Sequence, residues 1–151
     1  MNYKVKYILV IFFTASAVSF SQLNKQPERY TKGVENGYAW IAMNTNYQDL
    51  NDSKMNYLSD ILQRYRLLKQ KFPEAVNLGC NDEVNSLLSQ DKSNEILLED
   101  VADKIDKFYL DEDNMVIPVM FAYCYVIKEF AGFSKEGLNN YRNAVLDFCN
   151  D

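Results

Sequence analysis

The chain has 151 residues, with 16 Lys and Arg against 21 Asp and Glu, a net charge of −5, and no histidine. The missing histidine removes Ser-His and Cys-His nucleophile pairs, His-ligated zinc and the commonest general base near neutral pH. The acidic balance, without a Lys/Arg cluster, argues against nucleic acid and anionic membrane as partners, because phosphate backbones attract clustered cations.

Two further absences narrow the chemistry. The five glycines are scattered with no strand-turn-helix phosphate loop, and three widely spaced cysteines do not make a zinc site. Carboxylates, tyrosines and lysines remain. A carboxylate pair can hydrolyse a glycoside, but no two acids are placed together by sequence. The expectation is a non-enzymatic protein without a cofactor or metal.

The opening MNYKVKYILVIFFTASAVSFSQ has Lys4 and Lys6 ahead of an apolar stretch, Ile8 to Val18, interrupted only by Thr14 and Ser16. Ser19 and Ser21 are small residues at the −3 and −1 positions of a cleavage after Ser21. The pattern is that of a secretory signal peptide, and the apolar stretch falls short of the roughly 20 residues a membrane span needs. Residues 1–21 are therefore expected to be a signal peptide and 22–151 a single secreted or periplasmic α-helical domain. Cleavage removes two lysines and no acid, which moves the net charge from −5 to −7. A chain of the remaining length buries about two-thirds of its unfolded surface, enough for a core without metal or disulfide.

Sparse Pro and Gly, with apolar residues recurring at three and four, predict an all-α fold of about five helices. After a polar leader, 23–26, the first helix is expected over 28–43, with Trp40 as either a core anchor or a binding hot spot. The second, 53–72, is capped by Asp52 or Ser53 and places Met55, Leu58, Ile61, Leu62, Tyr65, Leu68 and Phe72 on one face. Its basic face, Arg64, Arg66, Lys69 and Lys71, could grip an acidic partner or simply suit the negative end of the helix dipole. Asn51-Asp52-Ser53 matches a glycosylation sequon.

Pro73 ends that helix, and 73–92 reads as an irregular connection with a turn at Gly79-Cys80 and a short helix from Asp82 to Leu88. SNEILLEDVADKIDKFYL forms the next helix, capped by Ser93 or Asn94, with Leu98, Val101, Ile105 and Phe108 as its stripe, widened by Leu97, Ala102 and Tyr109. Asp100 with Lys104, and Asp103 with Lys107, are spaced to pair on its wet face.

The acid-rich stretch FYLDEDNMVIP fails as a calcium loop: from Asp111, position 5 is Met115, position 6 is Val116 and position 12 is Ala122. It serves better as a connector. Asp113 or Asn114 would cap a helix over 116–131 with Pro118 in its first turn. Residues Met115 to Ile127 are continuously apolar, too short to span a membrane and too apolar for a surface, so this is the expected central helix. Gly132 closes it. Ser134 caps a last helix, 135–149, with Leu138, Tyr141, Val145 and Phe148 facing inward.

Measured from the turn between these two helices, Cys124 and Cys149 lie roughly 10 Å apart along the axis at 1.5 Å per residue. A disulfide between them is therefore disfavoured. The expected pair is Cys80–Cys149, leaving Cys124 as a buried thiol, with an intermolecular bridge as the alternative.

NGYAWIAM followed by KMNYLSDIL, and IDKFYLDEDNMVIPVMFAY followed by GFSKEGLNNY, resemble the two halves of a group of small, uncharacterised secreted bacterial helical proteins. Tyr109, Asn114 and Pro118 match that group's recurring pattern, at positions suited to a cap and a tyrosine anchor. More distantly, the layout is similar to Tai-type immunity proteins, periplasmic helical proteins that neutralise a peptidoglycan-cleaving toxin. The resemblance implies a fold, an address and an unidentified protein partner, with inhibition of a toxin or cell-wall enzyme as one form of that binding. The alternative is a module holding a small apolar ligand against Met120, Phe121, Tyr123 and Tyr125. Candidate contact residues are Trp40, Tyr123 and Tyr125.

Overall fold

The computed structural model describes residues 28–43, 53–89 and 96–151. The signal peptide, the polar leader, Asn51 and Asp52 of the sequon, and the caps expected at Asp52, Ser93 and Asn94 lie outside these residues. Among the described residues the fold is all-α with one two-stranded ribbon.

The ribbon was not anticipated. Strands β1 (Tyr30–Thr31) and β2 (Val34–Glu35) pair antiparallel, with Thr31 opposite Val34. Lys32 and Gly33 between them both have positive φ, 51° and 79°. That is the pattern of a two-residue hairpin turn whose twist matches its strands, and it breaks the helix expected over 28–43. Only α1 (Gly37–Ile41) remains helical there, capped by the Asn36 side chain, which accepts from Tyr38 N–H at 3.1 Å.

The second expected helix is divided at Asp60 into α2 (Ser53–Ser59) and α3 (Ile61–Lys71). Leu58, Ile61, Tyr65 and Leu68 are buried as expected, whereas Leu62 is 60% exposed. A 3₁₀ turn over Pro73–Leu78 then leads into α4 (Asn81–Ser89).

Helices α5 (Leu98–Phe108), α6 (Val119–Phe130) and α7 (Lys135–Asn150) complete the chain. As the apolar run predicts, α6 is central: Val119, Phe121 and Ala122 are fully buried and Val126 nearly so. Its end is a Schellman motif, with Phe133 N–H donating to Lys128 C=O and Gly132 N–H to Glu129 C=O. Ser134 caps α7 through the Gly137 N–H at 3.1 Å, and Leu138, Val145 and Phe148 are buried against α6 and its neighbours.

The start of α6 departs from expectation. Pro118 disfavours helical φ/ψ at Ile117, so α6 begins at Val119 and not at 116. Glu112–Asn114 form a separate 3₁₀ turn, capped by the Asp111 carboxylate accepting from Asp113 N–H. Asn114 therefore caps nothing ahead of it. It turns back, and its Nδ2 donates to Phe108 C=O at the end of α5. Tyr109 O–H donates to Ile117 C=O at 2.8 Å, and Asn36 forms a backbone bridge to Pro118. The three positions Tyr109, Asn114 and Pro118 thus hold the α5–α6 connection together and dock the N-terminal ribbon on it.

Cys80 pairs with Cys124, their Cα atoms 5.2 Å apart, which corrects the expected Cys80–Cys149 bridge and leaves Cys149 as the free thiol. The spacing argument considered only the α6–α7 hairpin. It carried no information on where 73–89 would lie, and α4 packs against α6 at the level of Cys124 and Ile127. Burial pushes the Cys149 thiol up to about 11, with Lys32 nearby pulling it back.

Candidate functional site

Trp40 is fully buried and so is not a partner contact. Its ring meets Tyr57 edge-on at 6.2 Å, and its Nε1 donates to Asp106 at 2.6 Å. Lys54, itself buried, reaches the same carboxylate at 2.7 Å. This satisfied polar group within an aromatic cluster makes Trp40 a core anchor.

Tyr123 and Tyr125 are half-buried but open onto different concavities, because residues two apart on a helix point to different sides. Met120 and Phe121 are packed in the core and face neither surface. The four residues therefore do not share one ligand cavity.

Tyr125 borders a polar pocket of about 400 Å³ between α5, α6 and α7. Lys104, Lys107 and Arg142 supply positive charge; Asp111 and Glu129 supply negative charge. Most of this charge is satisfied by the fold. Arg142 donates through Nε to the Asn114 side chain and through Nη2 to Asp111 at 3.2 Å. Lys104 pairs with Glu129 at 2.7 Å, and not within α5 with Asp100, whose carboxylate accepts from Leu97 N–H. The acids of the opening stretch thus hold the connection to α7. Burial, then the Glu129 charge, raise the Tyr125 hydroxyl above its ordinary value.

Tyr123 borders the other concavity, an apolar groove of about 240 Å³. Val84, Leu87 and Leu88 of α4 form one wall. Ile96, Leu98 and Val101 form the second, and Tyr123 and Ile127 of α6 the floor. Leu88 is 57% exposed and Leu97, beside the second wall, 58%. Leu98 was expected in the buried stripe of α5 and Leu97 to widen it; both spill onto the surface instead. The disulfide fixes the first wall, since Cys80 immediately precedes α4. So does the ion pair between Lys128 of α6 and Glu83 of α4.

Sequence reasoning missed this groove, although a signal was present. Val84, Leu87 and Leu88 recur at three and four, Ile96-Leu97-Leu98 is a second apolar run, and every residue between Leu88 and Ile96 is polar or charged. Among the described residues, no three Cys, Asp or Glu side chains are gathered as a metal would require, and no helix is long and apolar enough to cross a membrane. Comparison with protein-family models, curated proteins and solved structures found no match to this chain.

Proposed function

We propose that the protein is a non-enzymatic binding protein whose groove between α4, α5 and α6 receives an apolar anchor from a basic protein partner. The observation that carries this reading is the uncovered apolar surface at Leu88, Leu97 and Leu98. The chain between the two walls, Ser89 to Glu95 (SQDKSNE), holds no apolar residue with which to cover it. Exposed apolar surface rimmed by polar groups marks interaction sites.

Charge favours a basic partner. Asp82, Glu99 and Asp100 flank the lining residues in sequence, and the whole chain is at −5. The likeness to secreted helical proteins and to Tai-type immunity proteins supports an inhibitor-like role outside the cytoplasm, as do the N-terminal leader pattern and a disulfide, which persists in oxidising compartments.

The test is fluorescence anisotropy with a labelled amphipathic peptide carrying Leu and Phe anchors between lysines, against a glutamate version with the same anchors. Saturable binding of the basic peptide, at least tenfold weaker in Leu88→Lys and Leu98→Lys, is expected. Equal affinity for both peptides, or affinity indifferent to those substitutions, would remove the proposal. Light scattering that shows a dimer broken by Leu88→Lys would also overturn it, by making a second copy the occupant.

A further inference from the structure

The basic face of α3 does not end in open solvent. The β1–β2 turn lies against it, and the two enclose a notch of about 180 Å³ lined by Lys32, Arg64 and Lys71 with Glu35 as the only acid. Glu35 is engaged by Arg64 at 3.0 Å. Lys32 and Lys71 have no ion-pair partner among the described residues, yet their ammonium groups lie 5.4 and 5.3 Å from the centre of one ring, Phe72. No more than the sum of those distances separates them, somewhat beyond the screening length of about 8 Å at physiological salt. Lys71 Nζ also lies 3.1 Å from where a side chain on Gly33 would begin, so it rests on the turn itself.

Cations gathered on one notch repel one another. Lone ammonium groups would normally spread toward the acidic surface. Packing prevents that here: the left-handed turn fixes Lys32 between the Phe72 and Phe148 rings, while α3 fixes Arg64 and Lys71. One Arg64 donor, Nε, is buried without a partner among the described residues. The two ammonium groups rest on aromatic faces and have no carboxylate partner among the described residues, which leaves them short of acceptor oxygens.

We propose that this notch binds a phosphate group. Lys32 reaches it from the turn, Lys71 from the end of α3, and Arg64 from about two turns of α3 earlier. Three donors from different directions suit a tetrahedral oxyanion with several acceptor oxygens. The volume is below the 300–1,000 Å³ of sites that enclose whole drug-sized ligands, so the notch holds the phosphate and leaves the rest of any ligand outside. The site is separate from the apolar groove and does not depend on it.

The experiment follows backbone amide shifts of the full protein on titration with inorganic phosphate and with glycerol phosphate, each against sodium chloride at matched ionic strength. Saturable shifts at Lys32 and Gly33 are expected with phosphate and not with chloride. Lys71→Gln, and Lys32→Asn, whose new side chain tolerates the left-handed turn, are expected to weaken binding at least tenfold while leaving the rest of the spectrum in place. Saturation by glycerol phosphate alone would assign the site to phosphate esters, and by both ligands to phosphate generally; either supports the proposal. Shifts that follow ionic strength alone, or phosphate binding unchanged in both variants, would overturn it. Leu88→Lys, which disables the groove, should leave phosphate binding as it was, so the two readings fail separately.

Discussion

The two sides of α6 bear different kinds of surface. Toward α7, Arg142 and Lys104 find counter-charges in Asp111 and Glu129, and the Asn114 side-chain oxygen accepts from Arg142. Toward α4, Leu88, Leu97 and Leu98 stay exposed among the described residues. Both sides are concave, and the larger hollow is the polar one. Size is therefore the poorer guide. A pocket whose charges are mostly paired has done its work in folding, and a ligand must first displace those partners. An uncovered apolar wall gains simply by losing water.

The largest effect should come from the disulfide that sets the groove wall. Replacing Cys80 and Cys124 by serine is expected to lower the unfolding free energy by about 2–4 kcal/mol, the usual range for a bridge closing a loop of this kind, measured by urea denaturation. Peptide binding at the groove should fall with it, while the Arg142 side-chain resonances stay in place. Binding that survives unchanged would show that α4 is held without the bridge.

On the polar side the strongest single residue is Asn114, buried and joined to both Phe108 C=O and Arg142. Asn114→Ala should cost about 2–3 kcal/mol, because it leaves a buried acceptor and a charged donor unpaired. Asn114→Asp, which keeps an acceptor for Arg142 but loses the donor to Phe108, should cost less. Similar losses for the two variants would place the value in the helix cap and not in the charge network.

Alkaline pH tests the interior that both sides share. The Tyr109 and Tyr141 hydroxyls are held well above their ordinary value of 10, chiefly by burial. They stay neutral in the folded protein and ionise near pH 10 when unfolded. Their contribution is complete below pH 10 and is lost as pH rises beyond it, by up to about 1.4 kcal/mol per pH unit for each tyrosine. Urea midpoints at pH 9 and pH 11 should show this fall, and Tyr141→Phe should make it shallower. An identical fall in that variant would assign the effect to other groups.

Smaller effects finish the contrast. Lys104→Gln should cost between 0 and about 1 kcal/mol and less in high salt, since the pair with Glu129 is exposed. Leu88→Lys should change stability by no more than about 0.5 kcal/mol even as it weakens groove binding at least tenfold. A loss of several kcal/mol would mean that Leu88 is structural and would weaken the contrast at its root.

Much of the C-terminal half was legible beforehand. The unbroken apolar run made α6 central, Gly132 and Ser134 marked its end and the next start, and Tyr109, Asn114 and Pro118 were placed at the connection that they hold. The N-terminal half was less so. Lys32-Gly33 reads as part of a helix over 28–43 and shows as a turn only once its strands are seen paired, and Asp60 gives no local sign of dividing α2 from α3. The groove was legible in part, as two apolar runs around a polar link, but nothing local says that those runs face each other without cover.

What the chain alone determined is what depends on neighbours three or four residues away: helical periodicity, caps, the greasy centre, the lack of histidine chemistry. Only the tertiary structure could decide which cysteine meets Cys80, that Asn114 turns back to α5, and that a turn at Lys32 closes on the end of α3. Those are encounters between segments tens of residues apart. They are set by how helices pack around α6, a choice made by the summed burial of the whole core and by no single stretch of it.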